Sequence, residues 1–224
     1  MQHRTRPTRL TAAALATAAA VLLAAGCGTS QERRDKEEPA AAVSQLDTSP
    51  YRGTALDSGF TKPDLVLTDT TGKPFDLRKQ TAGKTTLMFF GYTNCPDVCP
   101  TTMGDISLAL SKQPKTVKDN VRVIFITTDP ERDTPKSLGK WLKTFGPNFI
   151  GLSGDLKKVK KAALSLGISV EEPKKHHDGT VTSDHGAQVA AFLPADDEAH
   201  VVYTAGTTSD DYAHDLPLLV KSTR

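Results

Sequence analysis

With 224 residues, 38% of them hydrophobic and 24% charged, the chain has room for one domain and something extra. Its 28 basic and 26 acidic residues leave a formal charge of +2. Residues 1–26 hold Arg4, Arg6 and Arg9 and no acid, so their removal leaves 25 bases against 26 acids, a balance that excludes a nucleic-acid partner. The basic run Lys157 to Lys161 reads as the solvated face of a helix.

The charged start from Met1 to Arg9 and the alanine-rich apolar stretch Leu10 to Ala25 follow the order of a signal peptide. The apolar stretch is short for a membrane span and ends in Ala24-Ala25-Gly26-Cys27. That ending is similar to a lipobox, with Ala24 where a larger aliphatic residue is usual. The expectation is a signal peptide at 1–26 and a lipid on Cys27, which places the chain on the extracytoplasmic face of the cell membrane. Residues 27–59, rich in Gln, Glu, Arg, Lys, Ala, Pro and Ser, read as a disordered tether. The folded domain is expected over 60–224.

Asp64 to Asp69 and Lys73 to Leu77 flank Thr71-Gly72 and predict a small hairpin. Lys84 to Gly91 contains Leu-Met-Phe-Phe, a run suited to a strand buried on both faces. Met103, Ile106 and Leu110 predict a helix over Thr101 to Lys112, and Val121 to Thr127 predicts a second central strand. Thr134 and Pro135 suit the cap and first turn of a further helix bearing Leu138, Trp141, Leu142 and Phe145. Asp155 to Leu166 reads as another helix, stopped by Gly167. Gln188 to Leu193 and Ala199 to Thr204 predict a second hairpin, and Ser209 to Ser222 a last helix that Pro217 delays or kinks. The order predicts an α/β, thioredoxin-like fold, with a mixed central sheet flanked by helices and an added N-terminal hairpin.

With Cys27 assigned to the anchor, Cys95 and Cys99 remain, an even pair that outside the cytoplasm is a dithiol or a disulfide. They lie in Gly91-Tyr-Thr-Asn-Cys-Pro-Asp-Val-Cys-Pro100, between a buried strand and a helix start, where unpaired N–H groups favour a thiolate. Pro96 suits an early helical position there. A spacing of four puts both sulfurs on one face of a helical turn and lets them share one ion. Soft thiolates select Cu(I), and two sulfurs with an imidazole also hold Cu(II). Structural zinc normally takes four protein ligands. The plain alternative, a stabilising disulfide, closes a loop too short to contribute more than about 2 kcal/mol. Asp97 is expected at the surface. Asp129 to Asp133 could suggest a hard-metal site, and suits a turn and helix cap better.

Phe90-Gly-Tyr-Thr-Asn-Cys-Pro-Asp-Val-Cys-Pro100 resembles the signature of the Sco/SenC family of copper chaperones. Thr127-Thr-Asp-Pro-Glu-Arg-Asp-Thr-Pro135 is similar to that family's loop after the second strand, and Ser183-Asp-His-Gly-Ala187 resembles the segment bearing its ligand histidine. The resemblance implies that Cys95, Cys99 and His185 bind one copper ion, used to build the dinuclear copper centre of cytochrome c oxidase. Its implied partners are the oxidase's copper-centre subunit and another extracytoplasmic copper donor protein. Without the family, His185 competes with His176, His177, His200 and His214, and Asp184 is the expected orienter of its ring.

Two other functions use the same cysteines. A thiol-disulfide reductase would keep target cysteines reduced, although its usual Cys-x-x-Cys spacing and a proline before Gln188 are both missing. A thiol peroxidase would need an activating arginine, and Arg122 and Arg132 are the nearest in sequence. No phosphate loop, Ser-His-Asp set or paired-carboxylate site is evident.

Overall fold

Residues 49–222 are described in the computed structural model. The expected signal peptide and Cys27 lie outside the described residues, as does most of the expected tether. The chain runs through strand β1 (Thr54–Thr61), a hairpin of β2 (Val66–Asp69) and β3 (Pro74–Asp76), helix α1 (Leu77–Thr81) and strand β4 (Thr85–Gly91). Helices α2 (Val98–Ser111) and α3 (Lys115–Lys118) lead to β5 (Val121–Thr127), then α4 (Pro135–Leu142), β6 (Phe149–Ser153) and α5 (Leu156–Leu164). The short pair β7 (Lys174–Lys175) and β8 (Val181–Thr182) precedes β9 (Val189–Phe192), β10 (Glu198–Tyr203) and α6 (Ser209–Lys221).

The main sheet has eight strands in the order β1-β10-β9-β4-β5-β6-β2-β3. β4, β5 and β6 are parallel neighbours, and the flanking pairings are antiparallel. This is the mixed sheet expected, and its central strands are buried as their apolar runs require, save for the partly exposed Arg122 of β5. Alternation along β4 sorts the core. Leu87 and Phe89 join Met103 and Ile106 of α2, Leu138 of α4 and Leu216 of α6 on one face, while Met88 and Phe90 join Leu77 and Val159 on the other.

β1 corrects the expected tether boundary at Gly59. It pairs with β10 along the sheet edge, and just ahead of it the amides of Arg52 and Gly53 donate to the buried Asp215 carboxylate at 2.9 Å. Tyr203 Oη also donates to Asp215, at 3.0 Å, and His214 Nδ1 lies 2.7 Å from it. The folded domain therefore begins before Thr54 rather than near Phe60.

β6 was not predicted. Gly151 weakens its strand signal, and a Cβ there would lie 2.5 Å from Leu142 Cδ1, so the glycine lets α4 close onto the sheet. Thr134 and Pro135 do open α4, with Ser137 N–H donating to Thr134 Oγ1 at 3.2 Å. Gly167, at φ 70°, ends the α5 region as expected.

α6 starts at a capping box between Thr208 and Asp211 and continues through Pro217. The proline lacks the N–H that would reach the Ala213 carbonyl one turn back. Gln113 Nε2 donates to that carbonyl instead, at 2.9 Å. The helix starts at Ser209, without the delay that Pro217 could have imposed.

Candidate metal centre

β4 delivers the chain to the site at Gly91. A Cβ on Gly91 would lie 2.9 Å from Cys99 Sγ, so the missing side chain is what admits the thiol. The chain then turns, with Cys95 N–H donating to Tyr92 O at 3.2 Å. α2 begins three residues later at Val98. The helix thus begins ahead of the expected Thr101 and takes Cys99 into its first turn, while Cys95 and Pro96, expected at an early helical position, precede it. Asp97, exposed as expected, occupies the cap position but makes no side-chain cap bond. Instead the Cys99 N–H donates to Cys95 Sγ at 3.4 Å, so a sulfur satisfies one open amide of the helix. Both thiols are free in this structure.

His185 arrives from the loop after β8. Its Nε2 lies 3.6 Å from Cys99 Sγ, and its Nδ1 lies 2.9 Å from Gly186 O. Nδ1 must carry the proton to donate to that carbonyl, which leaves Nε2 with a lone pair facing the sulfur. The ring stands edge-on to Phe89 and Tyr92, with centroids 5.8 and 6.0 Å away. Asp184 does not orient the ring as expected. It is exposed, and the backbone carbonyl of Gly186 takes the orienting role.

Burial governs the electrostatics. Desolvation pushes the Cys99 thiol far above its ordinary value, and its contact with Cys95 adds to the rise. At Cys99 burial therefore opposes the thiolate that the helix start favours. Desolvation also lowers His185 below the usual imidazole value, against the opposing pull of Gly186 O and Asp184. Without an ion, Cys99 and His185 face each other as neutral groups.

The loop after β5 holds the two ligand segments together. Asp133 accepts from Thr93 N–H at 2.9 Å, Thr93 Oγ1 at 2.5 Å and Thr127 Oγ1 at 2.6 Å. Thr128 N–H donates to Gly91 O at 2.7 Å, and Ser183 Oγ donates to Thr128 Oγ1 at 2.7 Å. Arg132 pairs with the buried Asp129, donates to Val181 O at 3.0 Å and covers the Tyr92 ring at 5.8 Å. The turn-and-cap reading of Asp129 to Asp133 is thus incomplete, because both acids are buried and one of them fixes the cysteine loop. The sequence motif around these residues was visible, but their burial was not.

The donors fit a soft metal. Two ligands on one ion, at about 2.3 Å for sulfur and about 2.0 Å for nitrogen, stand about 3.5–3.7 Å apart at tetrahedral to trigonal angles. Cys99 and His185 already have that spacing. Cys95, half-buried and bonded to the Cys99 amide, offers the third donor. The three donors do not all fall within 4.8 Å of one another, a condition that among the described residues only Asp196, Glu198 and His200 meet. Loading therefore asks for a small inward movement of the loops.

The other histidines have different neighbours. His176 Nε2 lies 2.9 Å from Thr182 Oγ1, His200 pairs with Asp196 and His214 with Asp215, while His177 is exposed. Arg122 binds the carbonyls of Asp119 and Val121 at the start of β5, and Arg132 is held by Asp129. Neither arginine serves a peroxidatic cysteine.

Residues 54–220 match the SCO1/SenC family pattern. Protein sco1 of Schizosaccharomyces pombe is 34% identical over 137 residues, covering 58% of this chain and 50% of that protein. The match spans about half the length of several such relatives. The solution structure of apo Sco1 from Thermus thermophilus has a TM-score of 0.66 and 32% identity, covering 75% of this chain and 96% of that one. The copper-bound ScoI of Bradyrhizobium japonicum has a TM-score of 0.58 and 34% identity, covering 71% and 99%. A family match across most of the length and these thioredoxin-like neighbours lead to one assignment: the chain belongs to the SCO1/SenC family.

Proposed function

We propose that this chain is an extracytoplasmic copper chaperone that carries one copper ion on Cys95, Cys99 and His185 and supplies it to the copper-centre subunit of cytochrome c oxidase. The observation that carries the reading is the 3.6 Å approach of Cys99 Sγ to His185 Nε2, with Cys95 Sγ on the Cys99 amide. The copper-bound relative supports the choice of metal. Binding displaces the thiol protons, and His185 arrives already neutral with Nε2 free. Cys95 is the more exposed sulfur, so an incoming partner ligand reaches it first and exchange proceeds from that side. In this reading Cys27 carries a lipid that keeps the domain at the membrane holding its acceptor, and another extracytoplasmic protein delivers the copper.

A second reading, a thiol-disulfide reductase, is supported by the half-buried Cys95 standing in front of a fully buried Cys99. Cys95 would attack a target disulfide, and Cys99 would release the reduced target from the mixed disulfide. One experiment separates the two. The reduced full chain is loaded with copper anaerobically and desalted, beside His185→Ala. Retention of one equivalent by the parent and a weakened hold in the variant support the chaperone. A parent that keeps no copper but reduces disulfides is a reductase.

A further inference from the structure

At the opposite end of the sheet from the thiols, the turn between β9 and β10 gathers a different donor set. Phe192 pairs with Thr86 at the start of β4, whereas the cysteine loop follows Gly91 at its end, so the two regions lie about 17 Å apart along the strand. His200 Nε2 lies 2.8 Å from Asp196 Oδ2 and 3.8 Å from Glu198 Oε2. Glu198 N–H donates to Asp196 Oδ1 at 3.0 Å and holds the turn carboxylate in place. The imidazole is mostly buried, at 14% exposure.

We propose that Asp196, Glu198 and His200 form a second cation site, suited to a divalent ion of the zinc class and separate from the copper centre. Two ligands at about 2.05 Å from one ion stand about 2.9 Å apart at a right angle and about 3.3 Å apart at a tetrahedral angle. The observed 2.8 and 3.8 Å bracket those values, so a small shift of the Glu198 carboxylate closes the set. One imidazole with two carboxylates is a borderline donor set that leaves a position for water, whereas the thiol site prefers a soft ion.

Two further features favour a cation here. The neighbouring positive charge is already matched, because buried Lys62 pairs with Asp197 at 2.6 Å and with Thr81 Oγ1 at 2.9 Å. Among the described residues, His200 is the only basic side chain that pairs with Asp196 or Glu198. Gly59 on β1 supplies the space: a Cβ there would lie 2.8 Å from Glu198 Oε2 and 2.9 Å from His200 Cε1. Gly59 does not have a positive φ, so room for these two side chains, not backbone freedom, explains a glycine within the strand.

The test uses the full chain carrying Cys95→Ser, Cys99→Ser and His185→Ala, titrated with zinc ion against a chromophoric chelator. One equivalent is expected to bind. His200→Ala in that background should weaken it at least tenfold, and Gly59→Ala should weaken it several-fold without removing a ligand. His176→Ala with His177→Ala should leave it unchanged. Circular dichroism confirms that each variant is folded. No bound zinc, equal binding by the His200→Ala chain, or a loss that follows His176 and His177 instead would overturn the proposal.

Discussion

Asp133→Asn isolates the contribution of one buried carboxylate to the metal centre. The carboxylate accepts three hydrogen bonds, two of them from Thr93 in the cysteine loop. Asparagine keeps one acceptor oxygen and turns the other into an NH2 group. A threonine hydroxyl can rotate to accept from that group, but the Thr93 amide cannot. With Oδ1 kept toward the Thr93 amide and the NH2 turned toward Thr93 Oγ1 the three contacts survive, but all of them lose the carboxylate's charge, which costs about 2–3 kcal/mol. For a domain of this size that is a fall in Tm of about 5–10 °C. Urea unfolding of the reduced, metal-free chain measures the stability, and competition with a copper chelator measures the affinity. Both should fall together, because Thr93 sits two residues before Cys95. A variant within about 0.5 kcal/mol of the parent would refute the assigned energy. Lost stability with unchanged copper affinity would refute the positioning role.

Burial makes Cys99 the slower thiol, so brief iodoacetamide treatment of the reduced chain at pH 8 should label Cys95 at least tenfold faster; equal labelling by mass mapping argues against the buried geometry. His185 titrates below the ordinary imidazole value, so the metal-free unfolded state binds more protons than the folded state between that lowered value and about 6.5. Its stabilising contribution is complete above about pH 6.5 and is lost as pH falls through the lowered value. His185→Phe should flatten that part of the stability profile, and an unchanged slope counts against the assignment. At α6, Gln113→Ala should cost about 1–2 kcal/mol by leaving the Ala213 carbonyl without its donor, and Pro217→Ala in the same chain should restore part of it. A denaturation double-mutant cycle with no coupling would show that the glutamine does not compensate for the proline.

The central strands were legible because burial on both faces demands long apolar runs, which β4 and β5 have. β1 was not, because an edge strand carrying Asp57, Ser58 and Gly59 can satisfy its neighbours without such a run. β6 is short and interrupted by Gly151, whose purpose, close approach by α4, is a tertiary fact. At the site, the spacing of the cysteines was local information. The pairing of Cys99 with a histidine 86 positions away was not, and it was the family resemblance that singled out His185. That burial opposes ionisation of Cys99 was hidden too, because the helix start is visible in sequence and the depth of burial is not. The same blindness hid Asp129 and Asp133, acidic residues that local composition assigns to a surface turn.

β1 also has a direction. Its first residue, Thr54, pairs with Val202, which stands beside Ala190 and then Met88 midway along β4, whereas its last residue, Thr61, pairs with Glu198, beyond the row that holds Thr86 near the start of β4. The chain thus enters β1 at the end of the sheet nearer the thiols. A bulky group joined just ahead of Thr54 would therefore crowd the thiol end of the sheet before it reached the Asp196 turn.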